Sequence, residues 1–169
     1  PSGGGDVLMG SIVTRNEALH LRIKLAHMRL GLGVAANDAE AVLRALPSID
    51  LRYRAQDQAA RQLARWLQDR PEVSAVLHPA LPDAPGHVHW LALCGARDLA
   101  AGLFSIVLDA RYTQAQVDRF CDSLRLFRLG YSWGGPISLV VPYDVPSMRC
   151  PRLGTWRQSG IVVRLAIGL

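Results

Sequence analysis

Along the first fifty positions the spacing of apolar residues changes character several times. Val7 to Val13 (VLMGSIV) follows the glycine-rich turn PSGGGD as a mostly apolar stretch, which predicts a strand. Thr14 and Glu17 then make a T-x-x-E capping box that opens a helix running to about Gly31. Asn37 or Asp38 is placed to cap a short helix ending before Pro47. Ser48 is placed to cap a long one that reaches Arg70 and stops at Pro71, with Leu51, Ala55, Ala59, Leu63, Trp66 and Leu67 at helical spacing.

Beyond Pro71 the apolar runs shorten. VSAVLHP (73–79) predicts a strand, ALPDAPG (80–86) a turn-rich loop and HVHWLALCG (87–95) a short helix. GLFSIVLDA (102–110) reads as a buried strand. Thr113 is set to cap a helix over residues 114–127, with Val117, Phe120, Cys121, Leu124 and Phe127 on one face. RLGYSWG, SLVVPYD and GIVVRLAI are the remaining strand patterns. The order predicts an α/β fold: a small, mostly antiparallel sheet with helices on one face, joined to an amino-terminal helical arm.

Composition adds limits. The chain has 169 residues, 50% of them apolar and 20% charged, enough for one core of ordinary domain size. Its apolar runs fall short of the ~20 residues that span a bilayer, and no basic-then-apolar leader pattern is present, so a cytoplasmic protein is expected. Cys94, Cys121 and Cys150 are widely spaced without a C-x-x-C pair, which predicts reduced, mostly buried thiols. The chain begins in a turn without methionine and stops after a strand pattern, so a fragment of a longer protein is expected.

The net charge of +5 comes from 18 arginines and one lysine, Lys24, against 14 acids. A basic balance raises the alternative of a nucleic-acid-binding module with salt-sensitive affinity. The arginines are interleaved with acids, as in RYRAQDQAARQLARWLQDR (52–70), which instead describes a solvated helix face.

GYSWGG (130–135) satisfies G-x-S-x-G, the nucleophile elbow of serine hydrolases. The elbow needs a helix after the serine, and GGPISLVV is a poor helix start. All five histidines (His20, His27, His78, His87 and His89) precede Ser132, so the Ser-Asp-His chain order fails and Ser132 is not a hydrolase nucleophile. His87 and His89, two positions apart, diverge on a strand or a helix and are a poor metal pair. PSGGGD lacks the G-K-[ST] of a P-loop. Arg164, set in the apolar run VVRLAIG, needs a partner for its charge: an internal carboxylate, a strand-edge position, or a substrate carboxylate that the guanidinium fork would hold in two places.

Five blocks in register carry a resemblance: HPALP (78–82), G-H-x-x-W (86–90), GLFSIVL (102–108), YSWGG-x-x-SL (131–139) and V-R-L-A-I-G-L (163–169). Together they resemble the cystathionine β-lyases of the Cys/Met-metabolism family of pyridoxal-phosphate enzymes, over essentially the whole chain. PSGGGDVLMGS is similar to the family segment that directly follows the Schiff-base lysine. The resemblance implies the carboxyl-terminal small domain of a fold-type-I enzyme, with residues 48–169 as that domain and residues 1–47 as the end of the large cofactor-binding domain with connecting helices.

It further implies a catalytic lysine just before Pro1 and no catalytic residue in the chain itself; Lys24 lies outside the motif and reads as a surface or interface residue. Ser132, Trp133 and Arg164 match the family positions that bind the substrate's α-carboxylate. No cofactor-binding residue is assigned within the chain. The implied cofactor is pyridoxal 5'-phosphate and the implied reaction, in the intact enzyme, is α,β-elimination of L-cystathionine to homocysteine, pyruvate and ammonia. The related γ-lyases, γ-synthases and methionine γ-lyases are the alternatives; tryptophan after Ser132 favours the β-lyase branch. The implied partners are the missing amino-terminal half and further copies of the same enzyme, as a dimer or tetramer.

Overall fold

Five strands form one sheet in the computed structural model: β1 (Val73–Leu77), β2 (Leu103–Leu108), β3 (Arg128–Leu129), β4 (Leu139–Tyr143) and β5 (Val162–Ala166), in the order β1-β2-β5-β4-β3. Residues 1–96, 98–149 and 159–169 are described; Cys150 lies outside them. β1 with β2, β2 with β5 and β5 with β4 are antiparallel, and only the short β3 runs parallel to its neighbour β4. Thus β5, last in sequence, sits in the middle of the sheet. Its Val163 and Leu165 are buried, facing Ile106 and Phe104 across β2. Each such side chain contributes about 1.5–3 kcal/mol when removed from water.

Two units make up the chain, Pro1–Ile49 and Asp50–Leu169. In the first, α1 (Glu17–Arg29) and α2 (Ala36–Ala45) bury no residue. The expected Thr14 cap is displaced by two residues: Asn16 caps α1, its side chain accepting from the Leu19 N–H at 2.8 Å, while Thr14 accepts from the Asn16 N–H. Asn37 and Asp38 lie inside the first turn of α2, whose cap position is Ala35. The strand expected at Val7–Val13 does not form, and Leu8, Ile12 and Val13 stand exposed. A strand needs a neighbour for its N–H and C=O groups, and none of the five strands lies in this unit.

In the second unit, α3 (Ile49–Gln68), preceded by a 3₁₀ turn at Leu46–Ser48, covers the core face of the sheet together with α5 (Gln114–Ser123). The buried stripe of α3 is Asp57, Ala60, Ala64 and Leu67, at spacings of three and four residues. This corrects the stripe expected from the larger apolar residues. Leu51, Ala55, Ala59 and Trp66 are exposed, and Leu63 is only partly buried. Two alanines let the helix approach the sheet closely, so the small residues face inward and Trp66 does not.

Thr113 and Gln116 close a capping box at the start of α5, with the Thr113 N–H donating to Gln116 Oε1 at 2.8 Å. Val117 and Cys121 are buried, but the helix ends at Ser123, four residues before the expected Phe127, because Leu124 turns extended. Phe120 is exposed, and Leu124 and Phe127 pack on the core from beyond the helix. The remaining helices among the described residues are α4 (His87–Cys94), where one was expected, and α6 (Val145–Met148), which has no counterpart in the pattern. Of the two described cysteines, Cys121 is buried and Cys94 is exposed, so the expectation of buried thiols holds for only one of them.

Candidate carboxylate-binding site

Strand alternation puts Phe104, Ile106, Val163, Leu165 and Val140 on the helix-covered face. Arg164 therefore leaves β5 on the opposite face, between Ser105 of β2 and Val141 of β4. Val107, Val141, Val162 and Ala166 are also buried, so the run around Arg164 is as sequestered as its apolar composition suggests. Arg164 as a residue is only partly buried. Its Nη2 donates to the carbonyl oxygen of Tyr131 at 2.7 Å and of Ser132 at 3.3 Å, with that of Gly130 at 3.5 Å.

Among the described residues no carboxylate lies within ion-pair distance of Arg164, so the internal acid that was one alternative for its charge is absent there. Its Nε and Nη1 likewise make no hydrogen bond to a described residue. Nη2 is held by the protein, and the N–H groups on Nε and Nη1 remain available. Those groups can donate charge-assisted hydrogen bonds to a carboxylate.

The segment carrying those carbonyls is held in three places. Gly130 N–H donates to Val140 O at 3.2 Å, continuing the β3–β4 pairing. Gln56 of α3 reaches across to donate from Nε2 to Gly135 O at 3.2 Å. At the far end, Gly168 N–H donates to Ser138 Oγ at 3.0 Å and Leu169 N–H to Pro136 O at 2.9 Å. Gly168 has to be glycine: a Cβ there would run into Pro136 O and the backbone of Ile137 and Ser138. Gly134 adopts φ of +75°, the left-handed region open to glycine, which turns the chain after Trp133. No helix directly follows Ser132; the chain runs through this loop into β4.

Of the three residues expected at the site, the structure brings Arg164 to the backbone of Ser132. Trp133 is exposed, and among the described residues no hydrogen bond or ring contact joins it to Arg164. Lys24 is exposed on α1. Two contributors were missed by the sequence reading, Gln56 and Tyr143, whose ring centroid lies 5.5 Å from Arg164 Cζ. Tyr143 had a signal, since it shares the alternation of Leu139 and Val141, but using it requires the β4–β5 register.

The sequence profile of the Cys/Met metabolism PLP-dependent enzymes matches residues 2–169. The chain belongs to that family. A relative from Rhizobium johnstonii is 38% identical over 174 residues, 100% of this chain and 42% of its own length. Cystathionine β-lyase from Haemophilus influenzae is 33% identical over 171 residues, 98% of this chain and 41% of that protein. Among solved structures, cystathionine γ-synthase from Xanthomonas oryzae pv. oryzae, in complex with aminoacrylate and cysteine, matches with a TM-score of 0.79 and 30% identity, over 99% of this chain and 43% of that one. The chain thus spans about two fifths of the length of these relatives.

The family depends on pyridoxal phosphate, which is held covalently through a lysine amine. The unit that carries Arg164, Asp50–Leu169, contains no lysine, and the chain's single lysine is the exposed Lys24 of the other unit. The residues around Arg164 therefore suit a carboxylate anchor and do not furnish the cofactor's covalent seat.

Proposed function

We propose that this chain supplies the substrate α-carboxylate anchor of a carbon–sulfur lyase. In its whole form that enzyme catalyses α,β-elimination of L-cystathionine to homocysteine, pyruvate and ammonia. The observation that carries the reading is Arg164: a partly buried arginine whose Nη2 is tied to loop carbonyls, with Nε and Nη1 unpaired among the described residues. Arg164 would grip the carboxylate through those donors, and the Ser132–Trp133 segment would form the wall beside it. Holding an amino acid by its carboxylate restricts rotation about the Cα bonds, so the contribution lies in orientation. Family membership and the β-lyase name of the Haemophilus influenzae relative support the substrate assignment.

On this reading residues 1–47 belong to the end of the large domain and residues 48–169 form the carboxyl-terminal domain. The whole enzyme would be a cytoplasmic homo-oligomer, a dimer or tetramer. No described helix is long and apolar enough to cross a membrane. Reaction at the γ-carbon is the second reading, favoured by the likeness to the Xanthomonas oryzae γ-synthase. The two separate by product: L-cystathionine offered to the full-length holoenzyme should give pyruvate and homocysteine. Release of 2-oxobutyrate and cysteine instead would replace the β-lyase reading with a γ-lyase.

A further inference from the structure

Arg164 has a second neighbour besides the loop carbonyls. The register pairs Arg164 with Val141, and Tyr143 follows two residues later on β4, so its side chain leaves the sheet on the same face. The guanidinium carbon lies 5.5 Å from the Tyr143 ring centroid. Tyr143 in turn meets Tyr131 edge-on, with centroids 6.3 Å apart and planes at 63°. Tyr131 is also the residue whose carbonyl takes the shortest bond from Arg164. The three side chains and the Tyr131 backbone thus form a closed set: arginine on tyrosine, tyrosine on tyrosine, and that tyrosine's carbonyl back on the arginine.

An aromatic ring attracts a guanidinium through its π-face, whereas the N–H donors lie in the guanidinium plane. The ring can therefore restrain the arginine without using a donor. The carbonyls of Gly130, Tyr131 and Ser132 draw Nη2 alone, and a bond at one nitrogen leaves the rest of the group free to swing. A long arginine side chain has many rotamers to lose on binding. A platform that limits them beforehand favours carboxylate recognition.

We propose that Tyr143 is a positioning residue for carboxylate recognition: its ring restrains the Arg164 guanidinium so that the N–H groups not held by the loop are directed at the substrate. The proposal rests on the carboxylate-anchor reading of Arg164, and it assigns Tyr143 no contact with the reacting atoms. It predicts a split in kinetic parameters, with weakened capture of substrate and little change in turnover once substrate is bound.

The test is steady-state kinetics on the full-length holoenzyme with L-cystathionine, comparing Tyr143→Leu and Tyr143→Phe with the parent, singly and in an Arg164→Ala background. Tyr143→Met is carried alongside Tyr143→Leu, so that a folding failure of one leaves another non-aromatic variant to measure. The expected result is that Tyr143→Leu and Tyr143→Met raise KM about 5- to 10-fold with kcat within about twofold, the size of a partly desolvated cation–π contact. Tyr143→Phe should restore KM, and the Leu effect should vanish when Arg164 is already alanine. If Arg164→Ala raises KM but the Tyr143 variants do not, or if they lower kcat and thermal stability without moving KM, the positioning role is wrong and the anchor reading stands. If Arg164→Ala itself leaves KM unchanged, the anchor reading fails and this inference with it.

Discussion

Arg164 and Tyr131, 33 residues apart in sequence, are joined by a 2.7 Å hydrogen bond from the Arg164 guanidinium to the Tyr131 carbonyl. The bond connects the central strand of the sheet to the segment that precedes β4, and it makes one site of two sequence blocks. It also explains how an arginine is tolerated within an apolar strand. The side chain runs along Tyr143 and ends at backbone carbonyls, so its charge is partly solvated by the protein without a carboxylate among the described residues.

The close approach of Gly168 to Pro136–Ser138 holds the same loop from the other side. Gly168→Ala forces either β5's extension or the loop to move, at about 1–3 kcal/mol by analogy with overpacking. Urea unfolding should show the midpoint fall. An unchanged midpoint would mean that the two segments can separate without cost.

Asp57 is buried in the α3 stripe, where it accepts from Arg61 Nε at 2.9 Å and from the Ala100 N–H at 2.6 Å. Arg61 also reaches Asp98, donating to its carbonyl at 2.7 Å. Asp57→Ala would leave Arg61 to Asp98 alone and strand the Ala100 backbone donor, and should cost about 1–3 kcal/mol. Adding Arg61→Ala should cost less than the sum of the two single changes. Additive losses in a double-mutant cycle would show that the pair is not coupled.

Burial pushes the Cys121 thiol up, with the nearby Asp118 and Asp122 charges adding to the effect, from the ordinary 9.0 to about 11. The fold favours the protonated thiol. The unfolded chain therefore ionises first, so this contribution is intact below pH 9 and is lost as pH rises between about 9 and 11. Its size is on the order of 2 kcal/mol. Peptide-mapped maleimide labelling at pH 7.5 should modify the exposed Cys94 readily and Cys121 only after unfolding. Equal labelling of the two would contradict the burial of Cys121.

His78 behaves in the opposite direction with pH. Its ring is fully buried against Phe104, with Nδ1 accepting from the Ala80 N–H at 3.2 Å. Burial lowers its pKa from 6.5, and the Arg61 charge lowers it further. The neutral ring is the form that fits, so its contribution is present above pH 6.5 and is lost as pH falls below that value toward the pKa in the fold. Stability measured from pH 8 to pH 5 should decline, and the part due to this residue should disappear in His78→Gln. An identical decline in that variant would assign the effect to other groups.

Short apolar runs with turn residues at both ends were legible: β1, β2, β4, β5 and α4 lie where the pattern places them. The same signal at Val7–Val13 gave no strand, because pairing is a property of two segments and the run does not specify its neighbour. Helix faces were less legible. On α3 the expected stripe held only at Leu67 and in part at Leu63, and the rest of the inward face is made by Ala60, Ala64 and an ion-paired Asp57. Cap chemistry was ambiguous where several polar residues adjoin, as at Thr14 and Asn16. At the candidate site, Arg164 stood out because a lone charge in an apolar strand needs an explanation. Tyr143 and Gln56 did not stand out, since their contacts depend on strand register and on a helix-to-loop bond across 79 residues.

The most direct measurement of the central claim is a comparison of L-cystathionine with its α-carboxamide on full-length holoenzyme, parent against Arg164→Ala. If Arg164 grips the carboxylate, the substitution should lower kcat/KM for L-cystathionine by about 10²-fold or more, the scale of a charged, partly buried contact. It should barely alter the already poor reaction of the carboxamide. Equal losses with both substrates would show that Arg164 serves the fold and does not recognise the carboxylate.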